Sequence, residues 1–386
     1  METILNLRKF VMPEVVFGKG ARKLAGQYAE KFSLKKVLLV TDKGIIENGW
    51  VEDVVKSLDE LGIEYILFTE LTPNPKDFEV MLGAESFKNN RCDGIIAIGG
   101  GSPMDLAKGV GIISTNGGII VDYKGVDMIT KAIPPMIFIP TTAGTSADVS
   151  QFGIISDTKK KIKVAIVSKN IIPDVALIDY ETTLTMDNYL TACTGIDAFT
   201  HAIEAYVSKA SSPLTDIHAI EAINIIYNYL PLIIKEPDNL QYREKLMFAS
   251  MEAGFAFSNA ILGAVHAMAH SLGGLLDLPH GECNGILLNH VVDFNYSSTP
   301  DKFNKISEII GIKMHNYNSQ EKKLILFDKL QELKESIGII KSLKELGVRE
   351  SDIPLLAHNA LNDACIITNP REAAKEDIEK IFYKAM

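Results

Sequence analysis

The sequence predicts a two-domain α/β protein, with a helix-covered parallel sheet in residues 1–184 and an all-helical part in residues 185–386. Three observations support this prediction. The chain has 386 residues, more than one hydrophobic core usually supports. Apolar runs of strand length alternate with helical patterns in the first half, which is typical of a parallel sheet covered on both faces. From about Asp187 onward, long patterns rich in Ala, Ile and Leu replace these runs, so the predicted boundary falls near residues 180–187.

Hydrophobic periodicity gives the elements of the first half. Continuous apolar runs bounded by turn residues predict strands, and apolar residues that recur every three or four positions predict helices. The predicted strands are residues 36–41, 64–68, 94–98, 136–139, 152–155, 162–167 and 175–178. The predicted helices between them are residues 50–61, 78–88 and 103–113.

Composition excludes several classes of partner. The formal net charge of −10 argues against binding to nucleic acid or to an anionic membrane surface. No run of eighteen uninterrupted apolar residues occurs, so we expect no membrane span. The four cysteines are widely spaced, and no basic-then-apolar leader is present, which predicts free thiols in a cytoplasmic protein. Cys193 and Cys283 flank a histidine cluster, and we interpret them as small buried hydrophobic residues rather than zinc ligands.

Carboxylate and imidazole side chains that could hold a metal gather between residues 195 and 282: Asp197, His201, His266, His270 and His280. Asp197 and His201 stand four residues apart, and so do His266 and His270, which places each pair on one helix face. His280 lies in a Pro-His-Gly sequence that predicts a turn. One carboxylate and three imidazoles suit a divalent transition metal, which leaves a fourth imidazole for proton chemistry. The alternative is a set of buried, hydrogen-bonded core histidines.

A glycine-rich turn follows the third predicted strand. Gly99, Gly100 and Gly101 let the backbone approach a ligand without obstruction by Cβ atoms. Ser102 is predicted as the N-cap of the next helix, and Asp105 completes a Ser-x-x-Asp capping box. A helix that begins at the carboxyl end of a parallel strand suits a pyrophosphate. Because this is not the G-x-G-x-x-G sequence, the alternative is a tight strand-to-helix turn without a ligand.

Two further stretches lie at strand ends. Asp42 follows the first predicted strand, where an acidic residue can accept hydrogen bonds from ribose hydroxyls or, alternatively, cap the next helix. Thr141, Thr142 and Thr145 follow the fourth predicted strand and offer hydroxyl groups to a ligand. The alternative there is a threonine-rich loop without a ligand.

Together these motifs resemble the iron-containing (group III) alcohol dehydrogenases, and the resemblance runs from Phe17-Gly18 to Asn369-Pro370-Arg371. It is carried by Gly99-Gly100-Gly101-Ser102 with Asp105 and Lys108, Pro140-Thr141-Thr142-Ala143-Gly144-Thr145, Thr194-Gly195-Ile196-Asp197 continuing to His201 and Glu204, Gly263-x-x-His266-x-x-x-His270, and Pro279-His280-Gly281. One segment departs from the common pattern, since Ser146-Ala147-Asp148-Val149-Ser150 stands where the family usually has Gly-Ser-Glu-Val-Thr.

The resemblance implies a dehydroquinate synthase-like architecture, in which a cleft separates a Rossmann-like dinucleotide-binding domain from a helical metal-binding domain. It implies metal ligands at Asp197, His201, His266 and His280, and catalytic roles for His270, Asp197 and His266, with His270 as a proton relay beside the nicotinamide. It implies dinucleotide contacts at Asp42, Asn74, Gly99, Gly100, Gly101, Ser102, Asp105, Thr141, Thr142, Thr145, Ser150, Lys163 and His270. It implies a substrate pocket lined by Phe152, Phe257 and Cys365.

The implied activity is hydride transfer between NAD(H) and a small primary alcohol or aldehyde, with Fe²⁺ or Zn²⁺ as a Lewis acid. Short alkanols, 1,3-propanediol, lactaldehyde and sulfonated or phosphonated aldehydes are all candidate substrates. NAD is expected rather than NADP, because Asp42 would repel a 2′-phosphate. We also expect a homodimer or higher homo-oligomer. The alternatives are a zinc-dependent polyol dehydrogenase, a dehydroquinate-synthase-like lyase of the same architecture, and a non-catalytic nucleotide-binding module.

Overall fold

Runs rich in Val, Ile and Leu form the strands, because branched apolar side chains pack well on a pleated, buried surface. The computed structural model describes residues 9–314 and 317–386. Its strands in chain order are β1 (Glu14–Phe17), β2 (Lys36–Val40), β3 (Glu64–Phe68), β4 (Gly94–Gly99), β5 (Gly125–Val126), β6 (Met136–Pro140), β7 (Phe152–Asp157), β8 (Ile162–Val167) and β9 (Val175–Ile178). All seven predicted strands are confirmed to within two residues at either end.

Helices connect the strands and then take over the chain. In order they are α1 (Ala25–Lys31), α2 (Lys43–Glu47), α3 (Trp50–Asp59), α4 (Asp77–Asn89), α5 (Gly101–Asn116), α6 (Asn188–Val207), α7 (Pro213–Lys235), α8 (Leu240–Ala260), α9 (Ala264–Leu276), α10 (His280–Asn295), α11 (Pro300–Ile309), α12 (Ser319–Ser336), α13 (Ile353–Leu361) and α14 (Lys375–Ala385). The three predicted helices correspond to α3, α4 and α5.

Six strands form one sheet in the order β1-β9-β6-β4-β2-β3, and each neighbouring pair in it is parallel. Alternate residues of a strand face opposite sides of this sheet. Leu38 and Ile95 pack in a core that includes apolar residues of α4 and α5. Leu39 and Ile96 pack in a second core with residues of α1 and α3. The predicted parallel sheet covered by helices on both faces is therefore confirmed.

Two of the predicted strands belong to a second, smaller sheet, β5-β8-β7. β7 and β8 pair antiparallel, with Phe152 opposite Val167. Four residues separate the two strands, which is enough for a hairpin but too few for a parallel crossover. β1, which hydrophobic periodicity did not predict, has four residues and pairs with β9 at the edge of the large sheet.

The strand order reverses direction between β2 and β4. The chain passes from β2 to its outer neighbour β3, returns to β4 on the other side of β2, and continues through β6 to β9. In open α/β sheets ligands bind in the crevice at the carboxyl ends of strands at such a reversal. Asp42 follows β2 and Gly100 follows β4, so both lie at this crevice.

Two local predictions of helix ends are wrong. α5 begins at Gly101 with Gly100 as its N-cap, and the Ser102 hydroxyl accepts a hydrogen bond from the Asn74 amide instead of capping the helix. His280 is the first residue of α10 rather than a residue of a free turn. Proline suits the start of a helix, and Pro279 has extended backbone angles at the N-cap position, which allows the chain to enter α10 directly.

The remainder of the described chain is helical, and no strand follows β9 within residues 179–314 and 317–386. The domain boundary at residues 184 and 185 stays a prediction. By length and composition alone, α7 could cross a membrane, and so could the bent pair formed by α8 and α9. Both sets of helices contribute buried residues to the main hydrophobic core, and core helices commonly have this composition.

Candidate metal and dinucleotide site

Helix α6 carries Asp197 and His201 on one buried face, as their spacing predicts. Asp187 caps this helix by accepting a hydrogen bond from the backbone amide of Leu190 at 2.7 Å. Both metal-site side chains are almost completely buried. Burial of ionisable groups costs free energy unless they are paired or bind an ion. Asp197 and His201 therefore require a partner in this position.

The start of α9 is fixed by side chains from other parts of the chain. The Asn369 amide oxygen accepts a hydrogen bond from the Ala264 amide, and Glu204 on α6 accepts one from the Val265 amide at 2.7 Å. The other oxygen of Glu204 lies 2.7 Å from Nδ1 of His266. A carboxylate at Nδ1 makes that atom the hydrogen-bearing one, which leaves the Nε2 lone pair of His266 free to bind a metal.

Three imidazoles surround one oxygen of Asp197. Asp197 Oδ1 lies 3.8 Å from Nε2 of His201, 3.4 Å from Nε2 of His266 and 3.7 Å from Nε2 of His280. Ligand atoms held tetrahedrally at metal bonds of about 2.0–2.2 Å are separated by about 3.3–3.6 Å. The separation from His266 lies within that range, and those from His201 and His280 are slightly longer. Asp197, His201 and His266 have ligand atoms that all lie within 4.8 Å of one another, and Nε2 of His280 also faces Asp197 Oδ1. These donors fit one divalent transition metal ion.

The electrostatics of this cluster favour a charged carboxylate. Burial by itself raises the pKa of Asp197, but the imidazoles of His201, His280 and His266 outweigh burial and hold that pKa well below its usual range. Burial lowers the pKa of His201 to about 3 and that of His280 well below its ordinary value. Burial also opposes the charge on His266, yet hydrogen bonds to Asp197 and Glu204 raise its pKa to about 9. A metal that takes Nε2 of His266 must displace that proton.

His270 lies one turn beyond His266 on α9, on the same face. Its ring stacks on that of His280 with centroids 5.3 Å apart, and its Nδ1 lies 2.9 Å from Oδ2 of Asp363. The other oxygen of Asp363 accepts the Cys365 amide at 2.8 Å. Although burial raises the pKa of Asp363, His270 and the hydrogen bonds from Cys365 outweigh it and lower that pKa. Asp363 thus fixes the orientation of the His270 ring.

The glycine-rich turn lies at the crevice of the large sheet, but its glycines serve packing as well as access. Gly99 has φ of 151°, and a Cβ there would lie 2.7 Å from the Pro103 side chain. A Cβ on Gly101 would lie 3.0 Å from the side chain of Thr145. The turn therefore packs directly against the threonine loop, and no side chain caps the free amides at the start of α5.

Unpartnered hydroxyl groups mark the same crevice. Thr41 follows β2, Thr141 follows β6, and the hydroxyls of both are buried without a hydrogen-bond partner. Buried polar atoms are almost always paired, so these two fit a ligand in the crevice. Asp42 accepts the Ile45 amide at 3.0 Å and caps α2, which leaves its second carboxylate oxygen for a ribose.

Asn74 links the two sides of the cleft. Its backbone amide donates to Ser102, and its side-chain oxygen accepts a hydrogen bond from Lys163 at 2.8 Å. Its side-chain nitrogen donates to Asp277, at the end of α9, at 2.7 Å. Burial lowers the pKa of Lys163. The structure thus brings together three residues, Asn74, Ser102 and Lys163, that the family resemblance assigns to the dinucleotide.

The segment that departs from the family pattern is compensated locally. Ser146, where the family commonly has glycine, has φ of 50°, a conformation in which side chains other than glycine are strained. Its hydroxyl donates to the Ser250 carbonyl at 2.7 Å, and Gly254 leaves room for its side chain. Ser150, at the other end of the segment, is buried and lines the cleft.

A buried lysine holds this segment in place. Lys108 is completely buried, and its ammonium donates to the carbonyls of Ser150 at 2.9 Å and Phe152 at 2.6 Å. Burial lowers the pKa of Lys108 to about 8, and Asp105 and Asp148 nearby favour its charged form. Burial likewise raises the pKa of both carboxyl groups to about 6. One helix therefore carries both the glycine-rich turn and the ammonium that fixes the opposite wall.

One cavity of about 320 Å³ joins the metal cluster to the glycine-rich turn. Its lining contains the predicted residues Asn74, Gly101, Ser102, Asp105, Thr145, Ser150, Phe152, Lys163, Asp197, His201, Phe257, His266, His270 and His280. The predicted residues outside this lining are Asp42, Gly99, Gly100, Thr141, Thr142 and Cys365.

The prediction that Cys365 lines the substrate pocket disagrees with the structure. Cys365 is completely buried behind Asp363, to which its amide donates a hydrogen bond, and it does not line the cavity. Burial also raises the pKa of Cys193 and Cys283 to about 12, which keeps both as neutral thiols. Both side chains are buried, which agrees with their interpretation as small buried hydrophobic residues.

Four residues of the site had no role assigned from sequence: Lys108, Glu204, Asn284 and Asp363. Glu204 stands three residues after His201 and Asn284 four residues after His280, so helical spacing alone could have suggested these two. Asp363 is 93 residues from His270, and no local pattern connects them.

A parallel sheet with a nucleotide-type crevice, beside a buried cluster of one carboxylate and three imidazoles, is the arrangement expected of a metal-dependent dehydrogenase. The family model "Iron-containing alcohol dehydrogenase" matches residues 13–180, and the model of the C-terminal part of the Fe-containing alcohol dehydrogenase family matches residues 191–386. The chain belongs to the iron-containing alcohol dehydrogenase family.

Individual relatives agree with this membership over nearly the whole chain. The 1,3-propanediol dehydrogenase of Citrobacter freundii is 41% identical over 379 residues, covering 97% of this chain and 98% of that protein. The NAD-dependent methanol dehydrogenase of Bacillus methanolicus is 37% identical over 377 residues, covering 98% and 99%. A crystal structure of a 1,3-propanediol oxidoreductase matches with a TM-score of 0.95 at 40% identity, covering 99% and 100%. The chain is accordingly an oxidoreductase that interconverts alcohols and aldehydes.

Proposed function

We propose that this enzyme transfers a hydride between NAD(H) and a small, uncharged primary alcohol or aldehyde, at a ferrous ion held by Asp197, His201, His266 and His280. The observation that carries the proposal is the convergence of three Nε2 atoms on Asp197 Oδ1, at 3.4 to 3.8 Å, in the same cavity as the glycine-rich turn. Anaerobic reconstitution with Fe²⁺, followed by NAD-linked oxidation of a panel of alcohols, tests it.

The matching family models support iron, with zinc as the second candidate. Imidazoles with one carboxylate suit both Fe²⁺ and Zn²⁺. A divalent ion at this position supplies Lewis acidity toward the alcohol or aldehyde oxygen. The zinc-dependent polyol dehydrogenases and the lyases of this architecture are less well supported, because both family models that match are those of the iron-containing enzymes.

The residues around the proposed ion orient the reactants and move a proton. His270 faces the cavity from the same helix side as His266, and Asp363 fixes its ring. With Nδ1 of His270 donating to Asp363, its Nε2 is the ring atom that can accept the proton of the alcohol. Phe257 stacks on His201 at 4.3 Å and packs against Phe152 at 5.7 Å, which makes the adjoining wall apolar and excludes water.

The nature of this wall supports uncharged substrates. Phe152, Ile154, Phe257 and Leu262 line the cavity, and within the described part of the chain no arginine contributes to the lining. Lys163 is the lysine of the lining; its ammonium donates to Asn74, and the family resemblance assigns this residue to the dinucleotide. With Lys163 occupied by the dinucleotide, an anionic substrate group would be buried without a charged side chain of its own, which costs several kcal/mol.

We expect the enzyme to reduce propanal with a kcat/KM about 10²-fold or more above that for sulfoacetaldehyde. Burial of the sulfonate costs several kcal/mol, and each factor of ten in kcat/KM corresponds to about 1.4 kcal/mol. The two aldehydes share the reacting group and differ at the far end, which makes them a matched pair. Steady-state reduction with NADH measures both values. Preference for the sulfonated aldehyde would contradict the proposal of an uncharged substrate.

NAD rather than NADP is supported by Asp42, because a carboxylate beside the adenosine ribose repels a 2′-phosphate. We expect Asp42→Ser to reduce the preference for NAD over NADP by about 10-fold or more, since a repulsion of even 1.4 kcal/mol gives that factor. Serine also caps helices, so α2 should remain intact. The measurement is kcat/KM with each cofactor.

Asp187→Ser is the matched control for this substitution. It removes the same charge from the N-cap of α6, outside the crevice, and should leave the cofactor preference unchanged. Equal kcat/KM with NAD and NADP in the wild-type enzyme would show that Asp42 does not select the cofactor.

We further propose a cytoplasmic enzyme that assembles as a homodimer or higher homo-oligomer. The four cysteines are free and buried, which supports a reducing compartment. Size-exclusion chromatography with light scattering measures the assembly directly.

A further inference from the structure

Asn284 lies on α10, one helical turn after His280, and is completely buried among the proposed metal ligands. Its side-chain nitrogen lies 2.6 Å from Asp197 Oδ1, 3.1 Å from Nε2 of His266 and 3.2 Å from Nε2 of His280. No other side chain contacts three of the four proposed ligand side chains among the hydrogen bonds of the described residues. This amide therefore lies against the donor atoms themselves rather than behind them.

The backbone of α10 leaves the amide little freedom to move away. A Cβ on Gly281 would lie 2.1 Å from the Cys193 carbonyl, so the first turn of α10 is in direct contact with α6. A Cβ on Gly285 would lie 2.9 Å from Ile339 and 3.3 Å from Ile196. This close packing on both sides of Asn284 holds its side chain over Asp197.

We infer that Asn284 is a positioning residue of the metal centre, whose amide holds the Asp197 carboxylate toward the imidazoles and thereby raises the affinity of the centre for a divalent cation. The inference rests on the metal ligand set of the proposed function. An amide N–H donates to the Asp197 carboxylate and holds it toward the imidazoles. Each Nε2 atom has one lone pair, which a bound metal would take from the amide, so the contact that persists with metal bound is the one between Asn284 and Asp197.

A purely structural role is the competing explanation, and the same helix provides a matched comparison. Asn289 is also completely buried, and in both asparagines the amide oxygen has no hydrogen-bond partner. The amide nitrogen of Asn289 donates to the Phe327 carbonyl and to Gln331, away from the metal ligands. The two asparagines thus differ in what the amide contacts and not in burial.

The test measures metal affinity in full-length protein. Wild type, Asn284→Leu and Asn289→Leu are each titrated with Co²⁺ in competition with a chelator, and the visible spectrum of bound Co²⁺ reports the coordination. We expect Asn284→Leu to bind Co²⁺ about 10- to 100-fold more weakly, the usual effect of removing a group that orients metal ligands. Its spectrum should also change. Asn289→Leu should match wild type in both.

Thermal unfolding of each metal-free protein verifies that the variants are folded, and Asn284→Ala takes the place of Asn284→Leu if the latter does not fold. If the Asn284 variant has the same dissociation constant and spectrum as wild type, the inference is wrong and the proposed function is unaffected. If wild type itself does not bind Co²⁺, the proposed metal site is wrong and the inference fails with it.

Discussion

His266→Ala is expected to abolish metal retention and turnover while the protein remains folded. The residue is almost completely buried, and its two ring nitrogens have separate tasks, since Nε2 faces Asp197 and Nδ1 donates to Glu204. Alanine removes one of four proposed ligands together with the side-chain link between α9 and Glu204 on α6. Each proposed ligand contributes to the affinity of this catalytic centre, so the remaining three donors should not retain the ion through purification.

The cost to the fold should be moderate. Removing a buried side chain typically costs about 1–3 kcal/mol in the free energy of unfolding, and Glu204 keeps its hydrogen bond to the Val265 amide. Elemental analysis of protein prepared anaerobically with Fe²⁺ measures retention, and thermal unfolding monitors the fold. His290→Ala, which truncates a partly buried imidazole of α10 that makes no contact with the ligands, serves as the control. Full metal occupancy in His266→Ala would rule out the assigned ligand set.

Most of the fold followed from patterns that are local in sequence. Apolar runs located the strands of the large sheet because parallel strands are buried on both faces and carry few polar residues. The spacing of Asp197 and His201, and of His266 and His270, placed each pair on one helix face. The edge strand β1 was missed because four partly exposed residues give too short a periodic signal.

The two wrong predictions of helix ends rested on local sequence rules, which contacts with residues distant in sequence override. Ser102 has the position and chemistry of an N-cap, yet its hydroxyl accepts the amide of Asn74, which is 28 residues away in sequence. The Pro-His-Gly sequence suggested a turn, whereas α10 begins at His280 and Gly281 packs against the backbone of α6.

Sequence spacing could not decide which of the four imidazoles is not a metal ligand. The structure distinguishes His270 by its partner, since its Nδ1 faces the carboxylate of Asp363, which approaches from a short helical turn late in the chain. His201, His266 and His280 instead direct Nε2 at Asp197. Such pairings arise from tertiary packing, and no periodicity in one sequence encodes them.

His270→Phe is expected to lower kcat for alcohol oxidation by about 10²- to 10⁴-fold, the range that general acid–base groups contribute. Phenylalanine keeps the flat ring that stacks on His280 and removes both nitrogens. Since His270 lies outside the proposed ligand set, metal content should not change. Without an imidazole to accept the alcohol proton, the reaction depends on water or hydroxide, so the rate should continue to rise with pH where wild type has levelled off.

Three measurements distinguish a proton relay from a residue that only shapes the pocket. Elemental analysis and NADH binding establish that the His270→Phe variant still holds metal and cofactor, so a loss of kcat cannot arise from their absence. His358→Phe, at an exposed position on α13, controls for the same change of side chain outside the reaction cavity. Because Asp363 loses its imidazole partner, the variant should also be less stable by about 1–3 kcal/mol, which thermal unfolding measures. If instead His270→Phe oxidises alcohols at nearly the wild-type rate at every pH, His270 lines the pocket and the proton leaves by another path.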